Sequence, residues 1–310
     1  MSIAVVGGGS IGVAWAIVFA RAGHAVGVHD PDPRRLELIP GEVAGRLEDL
    51  DAAQLLDEPP AEIRARVSMR PELGGALAGV AYVQECAPED LELKRALFQQ
   101  LDNLASPETT LASSSSMMPA SAFAGELAGR DRCLVVHPGN PPYLLPIAEV
   151  VPAPFTRDDV VQRAATLLAD AGMSVVHVRK EVEGFIFNRL QGAVLREAWC
   201  LVRDGVATVE DVDRTMRDGL GRRWALIGPF ETSDLNTRGG LAAHAPRMGP
   251  AYERMGVERG QHDPWTPELV ERVVAQRRSA LPLEQWEERV RWRDRGLIAL
   301  ERARRTIEPL

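Results

Sequence analysis

The chain is short of lysine, of cysteine and of long apolar runs, and each shortage removes a class of protein. Only Lys94 and Lys180 are lysines, and acids outnumber bases to leave a net charge of −8. That balance argues against nucleic acid or an anionic membrane surface as partner. The three cysteines, Cys86, Cys133 and Cys200, are odd in number and far apart. They make neither a disulfide framework nor a CxxC metal site, and they fit a reducing compartment. The six histidines show no HxxxH or comparable ligand spacing, so no metal is expected. No apolar stretch approaches the ~20 residues of a membrane-spanning helix. The opening MSIAVVGGGS is too short an apolar run, without a basic flank, for a signal peptide. The expectation is a cytoplasmic protein with no membrane partner.

What is present is an ordinary globular composition. The 310 residues are 45% hydrophobic and 26% charged, enough for one large or two medium domains with a sizeable core. Ile3–Val6 reads as a short apolar strand, followed by glycines and then IGVAWAIVFARAG with helical apolar spacing. His24–His29 gives a second strand closing at Asp30, which completes a βαβ unit with a parallel sheet. Further buried strands are expected at Val80–Glu85, Thr110–Ser113, Cys133–His137, Ala148–Val151 and Ser174–Val178, with helices at Leu91–Asn103 and Asp158–Ala171. From Gly184 the pattern turns helical: 184–205 is a long amphipathic helix, Val209–Asp218 a second and Pro229–Arg238 a third, with two more after Pro267 and Pro282. The expected fold is therefore α/β: a Rossmann-like, doubly wound, mostly parallel domain over 1–183, then an all-helical domain over 184–310. The apolar faces of the second domain make a homodimer the expected assembly.

Gly7-x-Gly9-x-x-Gly12, with Ser10 and Ile11 between the last two glycines, lies between that strand and that helix. The glycines permit a tight turn, close approach of backbone to a pyrophosphate, and close helix–strand packing. The pyrophosphate then meets a helix N-terminus, where free N–H groups favour anions. Asp30, 18 residues past Gly12, stands where a carboxylate accepts both ribose hydroxyls and repels a 2′-phosphate. NAD is the expected cofactor. Arg34 and Arg35 lie close enough to keep NADP as an alternative.

His137 closes one strand and Glu149 lies in the next, with a proline-rich excursion between them. A carboxylate on one ring nitrogen fixes the tautomer and makes the other nitrogen a better base. An isolated pair of this kind is more often a satisfied core histidine beside a surface glutamate.

SSSS at 113–116, HPGNPP at 137–142, Glu149 and GFIFNRL at 184–190 together resemble the L-3-hydroxyacyl-CoA dehydrogenase superfamily. The resemblance implies an NAD-dependent oxidation of a hydroxyl, with His137 as general base and Glu149 orienting it. It implies Ser116 and Asn188 as hydrogen-bond donors to the reacting oxygen, and Asn140 in support of the site. Glu85, Glu89 and Lys94 match the superfamily's E-x-x-x-E segment, so Glu89 and Lys94 are expected beside the nicotinamide and its ribose.

The departures bear on substrate. Acyl-CoA enzymes carry basic residues after the second strand, whereas 42–62 holds seven acids against Arg46 alone, a setting that repels a polyanionic CoA. NPPYLLPIAEVV, DGLGRRWALIGPFETSDLNTRGG and RLQGAVLREAW resemble the L-gulonate 3-dehydrogenase (lambda-crystallin) branch of the superfamily. That implies a small free hydroxy acid oxidised at C3, with Arg223 or its neighbour Arg222 gripping the carboxylate through a guanidinium fork. An arginine at a helix end is more often simply solvent-facing. The L-carnitine dehydrogenases share HPxNP…YLLP and remain an alternative, as do short-chain acyl-CoA dehydrogenation and an NAD-binding structural role.

Overall fold

The computed structural model describes residues 1–225, 228–236, 240–260 and 282–306, together with 268, 271, 274, 275 and 279. Eight strands form one sheet in the order β3-β2-β1-β4-β5-β6-β7-β8. They are β1 (Ser2–Val6), β2 (Ala25–His29), β3 (Val67–Met69), β4 (Tyr82–Glu85), β5 (Thr110–Ser113), β6 (Cys133–Pro138), β7 (Ile147–Pro152) and β8 (Ser174–His177). The first six run parallel, β7 is antiparallel to β6, and β8 is parallel to β7. The central strands are buried on both faces, so they appear as unbroken apolar runs such as IAVV and LVV instead of alternating ones.

Chain order reverses at β1, with β2 on one side and β4 on the other, and a doubly wound sheet receives its ligand at that crevice. The helix α1 (Ser10–Arg21) is buried from Gly12 to Ala20. Such burial suits an apolar helix held between the sheet and a second helix layer. The second layer is α2 (Pro33–Ala52), which starts on an Asp32 cap with Pro33 in its first turn and buries the stripe Leu36, Ile39, Val43, Leu47 and Leu50. Pro40 sits inside this helix without ending it. Short helices α3 (Pro60–Ala65) and α4 (Leu73–Leu77) follow, then α5 (Leu91–Leu104), capped by Asp90, α6 (Ala120–Ala124) and α7 (Asp158–Asp170). One apolar cluster joins one face of the sheet to α1, α2 and α7, and another joins the opposite face to α5 and α6.

The helical part comprises α8 (Phe187–Arg203), α9 (Val209–Arg214), a π-helical stretch at Thr215–Leu220, α10 (Gly221–Trp224), α11 (Pro229–Leu235), α12 (Gly240–Arg259) and α13 (Trp286–Arg305). The chain divides into two compact units, Met1–Arg189 with Arg291–Leu310, and Leu190–Val290. The division differs from the expected 1–183 and 184–310: the last stretch of chain belongs to the first unit, where Ile298 packs on the sheet-and-helix core. Within the second unit Arg259 joins α12 to Glu197 of α8 (2.8 Å) and to Asp204 just past its end (2.6 Å). The helix α12 contains Pro246 and Pro250 and was not expected from the sequence. The helix expected after Pro267 falls mostly outside the described residues. No helix among the described residues is long and apolar enough to cross a membrane.

Candidate active site

The glycine turn has the geometry that its sequence demands. Gly7 has φ +104°, and its N–H donates to the His29 carbonyl at 2.8 Å, binding the turn to the end of β2. A Cβ at Gly12 would stand 1.9 Å from the Gly7 carbonyl oxygen, so only glycine lets α1 start this close to the strand. A Cβ at Gly9 would meet nothing within 4 Å. Gly9 precedes α1 and supplies no side-chain cap, leaving the first N–H groups of Ser10, Ile11 and Gly12 open to an anion. These residues fit a dinucleotide pyrophosphate.

Asp30 closes the crevice on the β2 side. Its Oδ2 accepts from Gly8 N at 2.7 Å and its Oδ1 from Asp32 N at 2.9 Å. Arg34 is held by Asp32. Arg35 donates from Nε to the Gly8 carbonyl at 2.6 Å and forks onto Glu42. Arg46 reaches Ser10 O at 3.1 Å and Ser10 Oγ at 3.3 Å. Glu42 and Glu58 of the acidic segment are paired with Arg35 and Arg66, which lie outside 42–62. The segment is therefore less negative than a count within its bounds suggests.

Beneath the turn, Ser114 Oγ accepts from Trp15 Nε1 (3.1 Å) and Gln84 Nε2 (2.7 Å) and lies 3.3 Å from Cys86 Sγ. Burial pushes the Cys86 thiol up to about 12, so this sulfur beside the cofactor turn is no nucleophile near neutral pH.

Lys94 departs from its expected place facing the cofactor. It is 1% exposed, and its ammonium lies 2.9 Å from Glu85, itself fully buried. A buried ammonium needs a carboxylate, and α5 carries Lys94 back over the end of β4 to find one. Burial pushes the Glu85 carboxyl up, against the downward pull of the Lys94 ammonium and the Ser113 hydroxyl. Glu89 caps the serine loop: its Oε1 accepts from Ser115 Oγ (2.6 Å), Ser116 N (3.1 Å) and Met117 N (3.1 Å). Lys94 Nζ lies 3.8 Å from Glu89 Oε2, so the two residues together support the loop that carries Ser116.

His137 and Glu149 are register partners on antiparallel β6 and β7, and His137 Nδ1 lies 2.7 Å from Glu149 Oε2. Both are buried, at 5% and 2% exposure, so solvent does not compete for this contact. Glu149 Oε1 accepts from Ile186 N (2.7 Å) and Phe187 N (2.9 Å), where α8 begins. One carboxylate thus ties the imidazole to a helix N-terminus, a setting that favours an anion. Phe185 and Phe187 flank the imidazole, with ring centroids 5.7 and 5.9 Å away. Phe185 is fully buried at φ +49°, following Gly184 at +74°. A left-handed phenylalanine is strained, and it persists here because burial and the Glu149 bonds hold the turn.

Asn188, in the first turn of α8, donates from Nδ2 to the Ser116 carbonyl at 2.8 Å, which brings the serine loop and the start of α8 together. Asn140 is exposed on the turn after β6. Arg223 is exposed on the four-residue α10 of the second unit, and so is Arg222, 3.9 Å from Asp218. The flanking phenylalanines and the Arg35–Glu42 and Arg46–Ser10 contacts are not among the expectations from the sequence. The i,i+7 spacing of Arg35 and Glu42 on one helix was the available signal for that pair. Among the described residues no group of three or more His, Cys, Asp or Glu side chains could hold a metal ion.

A doubly wound sheet with an open glycine turn at its reversal point, followed by helices, defines a dinucleotide-binding protein of the Rossmann class. The chain belongs to the 3-hydroxyacyl-CoA dehydrogenase family: residues 2–182 match its NAD binding domain and 184–282 its C-terminal domain. It is an NAD-dependent oxidoreductase acting on a CH–OH group. It is 36% identical to lambda-crystallin of Oryctolagus cuniculus, covering 99% of this chain and 97% of that protein. It is 38% identical to L-carnitine dehydrogenase of Streptomyces griseus subsp. griseus, covering 97% and 89%. Among solved structures, 5-formyl-3-hydroxy-2-methylpyridine 4-carboxylic acid 5-dehydrogenase, an NAD+-dependent dismutase, superposes with a TM-score of 0.85 at 27% identity, covering 99% of each chain.

Proposed function

We propose that the chain oxidises the C3 hydroxyl of a small free hydroxy acid, with L-gulonate to 3-dehydro-L-gulonate the best-supported reaction. The observation that carries the chemistry is the buried contact between His137 Nδ1 and Glu149 Oε2. A carboxylate only accepts, so Nδ1 carries the hydrogen and Nε2 presents a lone pair. His137 Nε2 takes the hydroxyl proton as general base. The Ser116 hydroxyl and the second N–H of Asn188 hold the reacting oxygen, the two residues already being joined by the Asn188–Ser116 bond. Gly7, Gly9, Ser10, Ile11 and Gly12 cradle the pyrophosphate, Asp30 takes the ribose hydroxyls, and Glu89 and Lys94 hold the serine loop in place. NAD, when bound, accepts the hydride leaving C3.

The free-acid reading rests on the likeness to lambda-crystallin along nearly the whole chain and on the acidic character of 42–62, reduced as it is by Arg35 and Arg66. The likeness to an L-carnitine dehydrogenase supports a second reading, carnitine as the 3-hydroxy acid. A homodimer joined through the helical unit is part of the proposal, because Leu190, Val206, Phe230, Tyr252 and Val257 are exposed there. NADH formation on L-gulonate, L-carnitine, 3-hydroxybutyrate and 3-hydroxybutyryl-CoA separates the substrates. The highest kcat/KM is expected on L-gulonate, and a tenfold or greater preference (about 1.4 kcal/mol) for the CoA ester would defeat the free-acid reading.

Arg223 is proposed to grip the substrate carboxylate. Arg223→Met is expected to raise KM for L-gulonate by roughly tenfold or more, the loss of a charge-assisted fork, and to leave KM for NAD unchanged. Equal effects on both constants would remove the role.

A further inference from the structure

The Arg35–Glu42 pair lies at the position where a dinucleotide-binding fold chooses between NAD and NADP. Asp30 and Arg35 hold the two ends of one residue, Gly8: Asp30 Oδ2 accepts from Gly8 N at 2.7 Å, and Arg35 Nε donates to Gly8 O at 2.6 Å. A phosphate ester in place of the hydroxyl at Asp30 would therefore stand one residue's breadth from a guanidinium. Guanidinium binds phosphate through its two terminal nitrogens. Both of those nitrogens are already engaged by the Glu42 carboxylate, Nη2 at 2.7 Å from Oε2 and Nη1 on Oε1. Glu42 also lies 3.7 Å from Arg46, whose guanidinium is bonded to Ser10 on the turn itself.

We propose that Glu42 is a second determinant of nicotinamide-cofactor choice: by occupying the Arg35 fork it withholds the cation that a 2′-phosphate would need. Its effect is twofold. The fork is filled, and a further carboxylate faces the incoming phosphate, adding to the repulsion from Asp30. Both side chains are about a quarter to a third exposed (23% and 35%), so neither is locked away from a ligand approaching the crevice. The Arg35 guanidinium holds the Glu42 carboxyl below the usual carboxylate range, so the blocking charge persists wherever the enzyme is assayed near neutrality. The expected NAD preference thus acquires a second source, on α2 instead of at the end of β2. The inference rests on the reading of Asp30 as the ribose contact.

Calorimetric dissociation constants for NAD and NADP, measured on the full chain without substrate, test it. Glu42→Gln keeps the side-chain shape, removes the charge and frees one arm of the fork, since its amide oxygen still accepts but its NH2 cannot. The NADP-to-NAD Kd ratio is expected to fall by about tenfold, the gain of one charge-assisted contact to phosphate. Glu42→Ala should lower it in the same direction. The Arg35→Ala, Glu42→Gln double variant should lose most of the gain, because the cation is gone and only the relief of repulsion remains. A ratio unchanged in both Glu42 variants, or a gain that survives loss of Arg35 in full, overturns the proposal. Asp30→Ala is measured alongside: if that variant leaves the ratio unchanged, the reading of Asp30 fails separately, whatever Glu42 does.

Discussion

Replacing His137 by alanine is expected to lower kcat by about 10²–10⁴, the usual contribution of a positioned general base, while NADH still binds. The imidazole is enclosed at 5% exposure, with Nδ1 on Glu149 and phenylalanine rings on two sides. Bulk water therefore does not replace Nε2 at the substrate hydroxyl. His137→Gln is the sharper variant, because its amide can still donate to Glu149 yet offers no base. The glycine turn, Asp30 and the Ser114 network are not bonded to His137, so the Kd for NADH, read from its fluorescence, should change by less than about threefold, within the scatter of mutations at unconnected sites. A kcat within fivefold of the parent (a barrier change of about 1 kcal/mol) in both variants would remove His137 from the chemistry. Loss of NADH binding together with turnover would show that the histidine serves the cofactor crevice instead.

The central sheet was legible because strands buried on both faces leave unbroken apolar runs, and because a glycine turn between such a run and a helix is locally encoded. Thr110–Ser113 was expected and observed with the same ends, and β6 and β7 within a residue at each end. The His137–Glu149 contact could be anticipated because two strands joined by a short excursion can lie side by side and bring an imidazole and a carboxylate together. What was illegible depends on tertiary surroundings. A proline removes a helix donor, yet α2 runs on through Pro40 and α12 through Pro246 and Pro250, and α12 was not expected at all. Lys94 looked like a cofactor ligand, because nothing local reveals that Glu85, nine residues back on β4, stands ready to neutralise it inside the core. Phe185 has no sequence signature for a left-handed backbone; it lies between Gly184 and Ile186, whose N–H Glu149 takes from another strand. Arg34 and Arg35 kept NADP open, and only the fork of Arg35 on Glu42 shows where that charge is directed.

Glu149 separates chemistry from stability, since its two oxygens do different things: Oε2 faces His137 Nδ1, and Oε1 takes the Ile186 and Phe187 N–H groups at the start of α8. Glu149→Gln can keep the second function, because its amide oxygen still accepts from both N–H groups. Its amide nitrogen then faces His137, and an N–H donor there requires Nδ1 to accept. The hydrogen moves to Nε2, the nitrogen that must be bare to act as base. The expected result is a fall in kcat of about 10²–10⁴, comparable with loss of the histidine itself, with Tm lowered by no more than about one degree. Glu149→Ala removes the acceptor altogether. Two partly buried N–H groups lose their partner and the strained Gly184–Phe185 turn loses its tether, at a cost of about 1–3 kcal/mol or roughly 2–5 °C in Tm. Thermal unfolding and steady-state kinetics on both variants check the division. If Glu149→Gln turned over within fivefold of the parent, tautomer control would not be the function of this carboxylate. If it melted as low as Glu149→Ala, the charge on α8 would matter more than the hydrogen bonds, and the helix N-terminus would be the main client of Glu149.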